Sequence, residues 1–228
     1  MLDVGAESTR PGAAPLGEAQ EWERLAPTLK LLGQELSRIP LSLDTRHTDP
    51  ARRALASGTS VLNDVTGFSD PAMLDLAKRS SCGLIAMRSR IRAGQLWMPD
   101  YAQAGFETAA RAIQELAEVR DRLLGAGIAP ARVLLDPGFG FGTTYQEDLA
   151  LWEALPRLPT LLNWPVEGFC IGISRKRFLA WRAHQPGLAP KERDALTWEA
   201  HTEALELGYR VIRTHSLPPD DGESPTDL

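Results

Sequence analysis

The residues able to do chemistry fall into short runs. Ser8-Thr9-Arg10-Pro11-Gly12 lies near the start, and its hydroxyls, guanidinium and flexible backbone suit a small anion such as a phosphate. Taken alone, that run reads equally well as an exposed loop with a solvated Arg. Asp136-Pro137-Gly138-Phe139-Gly140-Phe141-Gly142 sets three glycines after an acid, a pattern that lets backbone approach a ligand closely. It is not the dinucleotide fingerprint, and Thr143 stands where a phosphate-binding loop would need Lys. Ser174-Arg175-Lys176-Arg177 places three cations side by side at an expected helix start, where the helix dipole disfavours them unless an anion is near. Asp44, Asn63, Asp64, Arg213 and His215 complete the set. His47 and His201 read as surface or helix residues and His184 as part of a polar loop, with no spacing that marks a metal site.

An alternation of short apolar runs and longer helical patterns must hold these side chains. Candidate strands are 2–5, 40–44, 60–63, 83–87, 132–136, 169–173 and 210–214. Continuous apolar runs of this length suit buried parallel strands, and the helices between them imply right-handed βαβ units. Residues 18–36 and 106–124 carry helical spacing, the latter stopped by Gly125 and Gly127. Asp49-Pro50 and Asp70-Pro71 each read as a cap followed by Pro in the first helical position. Asp44, Asn63, Asp64, Asp136, Arg213 and His215 then all fall at the carboxyl ends of strands, which form the active face of an α/β barrel. A single Asp at a strand end is more often a turn or cap, but several such ends point to one pocket.

Bulk composition bounds the rest. The 228 residues carry a net charge of -5 and are 43% hydrophobic and 24% charged, ordinary for one globular domain and unlike a general nucleic-acid surface. Cys82 and Cys170 sit far apart in apolar runs and read as reduced, buried thiols. No apolar run approaches a membrane span, and the start carries no signal-peptide pattern, so a cytoplasmic location is expected. Residues 1–216 are expected to form one domain, and the Pro-rich acidic residues 217–228 a disordered tail.

In order and spacing, Asp3-Val4-Gly5-Ala6-Glu7-Ser8-Thr9-Arg10-Pro11-Gly12, Asn63-Asp64-Val65, Asp136 to Gly142 and Ser174-Arg175-Lys176 resemble the dihydropteroate synthase family. The resemblance runs from Leu2 to about His215. It implies a TIM-type (β/α) barrel and a transferase of folate biosynthesis. Such an enzyme joins a hydroxymethyl-dihydropterin diphosphate to p-aminobenzoate, forming dihydropteroate and diphosphate. It implies that Asp44, Asn63 and Asp136 hold the pterin ring, that Lys176 meets its acceptor side, and that Met87 and Phe141 belong to the substrate pocket. Arg213 and His215 would bind the departing diphosphate, with Lys176 beside them as the catalytic set. Thr9, Arg10 and Pro11 would complete the p-aminobenzoate pocket, and Arg177 would reach that substrate's carboxylate. Mg²⁺ and a homodimer are implied by the family alone.

The chain also departs from the family pattern. Arg88 follows Met87 where His is frequent, Thr143 closes the glycine run in place of Lys, Arg177 replaces a small hydroxyl residue, and Ser216 replaces Asp after His215. Seven strand–helix steps are present where a complete barrel has eight strands, so the barrel is expected to lack its first strand–helix unit and its last helix. The family's metal-binding Asn belongs to that first unit, and pterin binding with slow turnover is the expectation that follows. A non-catalytic or partner-dependent pterin-binding barrel is the alternative, and a corrinoid-linked methyltransferase a more distant one.

Overall fold

Each apolar run expected as a strand forms one, and every pairing among those seven is parallel. The computed structural model describes residues 1–7, 15–36, 38–92, 95–97, 99–102 and 108–216. Thr9, Arg10, Pro11 and the expected tail at 217–228 lie outside the described residues. In chain order the elements are β1 (Leu2–Gly5), α1 (Glu18–Glu35), β2 (Leu41–Asp44), α2 (Thr48–Ala56), β3 (Val61–Asp64), α3 (Pro71–Arg79) and β4 (Gly83–Met87). There follow β5 (Ile91–Arg92), β6 (Gln95–Leu96), α4 (Ala110–Gly125), β7 (Val133–Asp136), α5 (Tyr145–Ala154) and α6 (Leu158–Leu162). The series ends with β8 (Cys170–Ile171), α7 (Arg177–Arg182), α8 (Asp194–Glu206) and β9 (Val211–Ile212).

Strands β1, β2, β3, β4 and β7 form one sheet in that order, β8 pairs with β9, and a parallel bridge from Leu135 to Phe169 connects the two groups. This is the strand order of a (β/α) barrel with the helices outside it. Among the described residues no pairing joins β9 to β1. The β5–β6 hairpin was not expected: its two-residue strands are too short to show a period.

Register decides which residues face inwards. Parallel partners share a face, and the face alternates along each strand. Leu43 pairs with Leu62, Leu62 with Leu84, and Ala86 with Leu135, so these side chains face one way, into the main core. The helices meet them with apolar residues at helical spacing: Leu25 and Leu29 on α1, Met73 and Ala77 on α3, and Ala112, Leu116, Val119 and Leu123 on α4. Full burial of one such Leu is worth about 1.5–3 kcal/mol. The opposite parity carries Asp44 opposite Asn63, and Met87 opposite Asp136. The outward parity thus carries the apolar core under the helices, and the inward parity gathers Asp3, Asp44, Asn63 and Asp136 with Met87 among them.

Several local expectations need correction. Asp70 caps α3 as expected, accepting from the backbone N–H groups of Ala72 and Met73. Asp49 does not cap α2: the helix begins two residues earlier than expected, at Thr48 after His47, and Asp49 sits in its first turn, paired with Arg53 at 2.7 Å. There an acid still suits the helix dipole. His201 lies on α8 but is buried, edge-on to Trp198, and burial lowers its pKa to about 4. The cysteines are buried and unpaired, as expected.

Charged residues are buried as well, on the outside of the sheet. Glu147 on α5 is fully buried and accepts from Arg90 at 2.5 and 2.7 Å. Arg90 also meets Glu115 of α4 at 2.8 Å and the Gly142 carbonyl at 2.7 Å. Neutralising one member of such a buried pair leaves the other charge uncompensated, a loss of about 3–5 kcal/mol. Because Glu115 remains, Glu147→Gln is expected at the lower end, about 3 kcal/mol, read as a fall in the denaturant midpoint. An unchanged midpoint would mean that the pair contributes nothing to stability.

Candidate active site

The inward face converges on Arg213. One residue past the end of β9, and with its backbone N–H donated to the Ile171 carbonyl of β8 at 3.0 Å, Arg213 points across the strand ends. Its Nη1 lies 3.4 Å from Asp44 Oδ2 and 3.6 Å from Asp3 Oδ2. Asp3 Oδ2 in turn accepts from Asn63 Nδ2 at 2.8 Å. Gly172 makes the approach possible: a Cβ there would sit 3.0 Å from Asp136 Oδ2 and 3.3 Å from Arg213 Nε. Burial would lower the Arg213 pKa, but Asp136 and Asp44 hold it well above the ordinary value, so it is a permanent cation. The Asp136 carboxyl is raised by burial, against the pull of Arg213, the Gly138 N–H and Lys176.

The glycine run wraps around this group because two arginines hold its backbone. Arg88 is buried and donates to the Pro137 carbonyl at 2.9 Å and the Gly138 carbonyl at 2.7 Å. Gly138 has φ +70, and a Cβ there would meet the Arg88 carbonyl at 2.0 Å, so no other residue fits. Gly142, with φ +79, is closed off in the same way by Arg90. Asp148 fixes the middle of the run, accepting from Gly140 N at 3.0 Å and from the Tyr101 hydroxyl at 2.7 Å. Phe141 is left packed with Met87 and Val65 in a small apolar cluster of its own. Lys176 Nζ lies 4.0 Å from the centre of the Phe141 ring, a cation–π contact. Burial and the Arg213 charge bring the Lys176 pKa down to about 8, against Asp148 and Asp136.

Asp44, Asn63, Met87, Asp136, Phe141, Lys176 and Arg213 are therefore linked through one set of contacts and strand pairings at the strand ends. His215 adjoins it through Ser174, whose hydroxyl accepts its backbone N–H at 3.2 Å and lies 3.0 Å from Nδ1. Other candidates go elsewhere. Asp64 has the opposite parity and caps the turn after β3, accepting from the N–H groups of Thr66 and Phe68 at 2.7 and 2.9 Å. Arg175 pairs with Asp194 at 2.6 Å, and Arg177 is exposed over the Tyr101 ring. These anions and rings explain how consecutive cations are tolerated at the start of α7. A separate cavity of about 340 Å³ between α4 and the loops after β3 and β4 is lined by Arg88, Arg90, Arg111 and Arg122. Glu115 and nearby carbonyls already accept from these arginines, and the cavity lies on the outer side of the sheet.

Sequence reasoning missed Asp3, Gly172, Asp148 and the Arg90 clamp. Asp3 was detectable as an acid of inward parity within a strand. Glu7 is also better placed than its sequence suggested. Its carboxylate accepts from Arg46 at 2.9 Å and from Leu16 N at 3.1 Å, joining the two flanks of residues 8–14.

Asp44 gives this cluster a pH signature. Burial and the neighbouring Asp3 carboxylate push its pKa up from 3.8 to about 7, against Arg213. Between those values the unfolded chain has lost the proton and the folded chain keeps it, so stability falls as pH rises from about 4 to about 7. Asp44→Asn should remove that slope and raise stability at pH 8 on the order of 1–3 kcal/mol, since one pKa unit is about 1.4 kcal/mol. Denaturant titrations should show the variant's advantage widening from pH 5 to pH 8. A gap independent of pH would contradict it.

Comparison with known proteins identifies the family. The Pterin binding enzyme family matches residues 1–215. Dihydropteroate synthase from Synechocystis is 33% identical over 218 residues, covering 95% of this chain and 72% of that protein. Among solved structures, Burkholderia cenocepacia dihydropteroate synthase complexed with 7,8-dihydropteroate superposes with a TM-score of 0.79 at 34% identity, over 94% of this chain and 76% of that one. The Xanthomonas albilineans enzyme with 4-aminobenzoic acid gives a TM-score of 0.78 at 32% identity, over 94% and 73%. With a family match over residues 1–215 and about a third identity over most of both chains, the chain belongs to the dihydropteroate synthase family of pterin-binding transferases.

Proposed function

We propose that this chain condenses a hydroxymethyl-dihydropterin diphosphate with p-aminobenzoate, giving dihydropteroate and diphosphate. The observation that carries the reading is the convergence of Asp44, Asn63 and Asp136 on the Arg213 guanidinium, with Met87 and Phe141 beside them. A pterin presents paired N–H donors on one edge and a flat apolar face. The Asp136 carboxylate accepts the paired donors, a charge-assisted contact worth about 1.5–3 kcal/mol. Met87 and Phe141 cover the face. Lys176 is directed at the acceptor side of the ring. The carbon–oxygen bond to diphosphate breaks with its electron pair leaving on oxygen, the amine nitrogen attacks the methylene carbon, and the new ammonium sheds a proton. Arg213, with His215 nearby, stabilises the charge gathering on the diphosphate.

Mg²⁺ is also implied by the family. Among the described residues no three carboxylate, imidazole or thiol groups converge as a metal site, and the Asp3 and Asp44 carboxylates already share the Arg213 cation. No step is therefore assigned to the ion. A homodimer and a cytoplasmic setting belong to the proposal, as does a role for Arg177 at the carboxylate of p-aminobenzoate.

The test is diphosphate release by the purified chain. Release should require both substrates and match dihydropteroate formed, mole for mole. Release without the amine, or no product with both present, would overturn the reading.

A further inference from the structure

Asp3 sits on the inward face of β1, opposite Ser42, one inward position short of the level of Asp44 and Asn63. Its Oδ2 accepts from Asn63 Nδ2 at 2.8 Å. With that oxygen as acceptor, the amino end of the amide is held towards β1, which fixes which way Asn63 faces. Asn63 is buried, which leaves little room for a second orientation. The same Asp3 oxygen lies 3.6 Å from Arg213 Nη1. One carboxylate therefore touches both the amide at the pterin end of the site and the guanidinium at the diphosphate end.

We infer that Asp3 is a positioning residue: it holds the Asn63 amide with its carbonyl oxygen turned away from β1 as an acceptor for a ring N–H, and it steadies Arg213 beside it. The inference rests on the pterin reading of the site and extends it to a residue that need not touch the substrate.

Asp3→Asn keeps the shape but offers both a donor and an acceptor, so the Asn63 amide is no longer directed. Binding of 6-hydroxymethylpterin, measured by calorimetry, should weaken about 10-fold, the scale of one hydrogen bond to a charged group, in a variant that still unfolds cooperatively. In the Asn63→Ala background the same change should have almost no further effect on affinity, because the groups act as a unit. Asp3→Ser provides a second, neutral variant should Asp3→Asn misfold. In the ligand-free protein, the Asn63 side-chain amide hydrogens should exchange with solvent several-fold faster in the variant. Unchanged pterin affinity, or equal losses in both backgrounds, would overturn the inference. A wild-type chain that binds no pterin would overturn the functional reading instead, and unchanged Asn63 exchange would then reject the positioning contact by itself.

Discussion

Arg213→Ala is expected to lower kcat by about 10²–10³, with a much smaller change in pterin affinity. The leaving diphosphate gains negative charge as the carbon–oxygen bond stretches, and a fixed cation is worth most where water is excluded. Arg213 is fixed and half-buried: Asp44 and Asp3 hold its Nη1 at 3.4 and 3.6 Å, and its backbone is tied to Ile171. Its charge is secured by the carboxylates around it, although burial works in the opposite sense. Arg213→Lys should recover only part of the loss, since an ammonium cannot present the planar fork to two phosphate oxygens. The check is steady-state diphosphate release, separating kcat from KM. An unchanged kcat would remove Arg213 from the reaction.

Asp136→Ala is expected to weaken pterin binding by about 10- to 100-fold, the loss of charge-assisted hydrogen bonds to the paired ring donors. The site already disfavours ionisation of Asp136 through burial, so the carboxylate draws its charged form from Arg213, Lys176 and the ligand's own donors. Asp136 Oδ1 also accepts from Gly138 N at 2.8 Å, so Asp136→Asn serves as the control that keeps the turn filled. Both variants should lose affinity if the paired acceptor matters. If both bind 6-hydroxymethylpterin as the wild type does, the assignment of Asp136 fails.

Much of this was legible in the sequence, for identifiable reasons. Short apolar runs between helical patterns fixed the parallel strands, because buried strands need no alternation to be recognised. Their ends were less certain where the run continued past the hydrogen-bonded ladder: 169–173 contracts to Cys170–Ile171 and 210–214 to Val211–Ile212. Strand-end position alone could not separate Asn63 from Asp64. Their parity does, sending the first inwards and the second into a turn. Buried charge was the least legible feature. Arg88, Glu147 and Asp148 are buried, each supplied with partners from a distant part of the chain. Arg175 pointed to an anion by its place in the cation run, and the anion it meets is Asp194 of the same chain. Such pairings join residues tens of positions apart, and no local pattern reports them.

The most direct test of the account is the structure of this chain with 6-hydroxymethylpterin bound. The account predicts the ring against Met87 and Phe141, its paired donors on the Asp136 carboxylate, and Asn63 within hydrogen-bond distance of a ring nitrogen. A pterin bound away from Asp136, or lying over the strand ends without contacting Asp136 or Asn63, would contradict it.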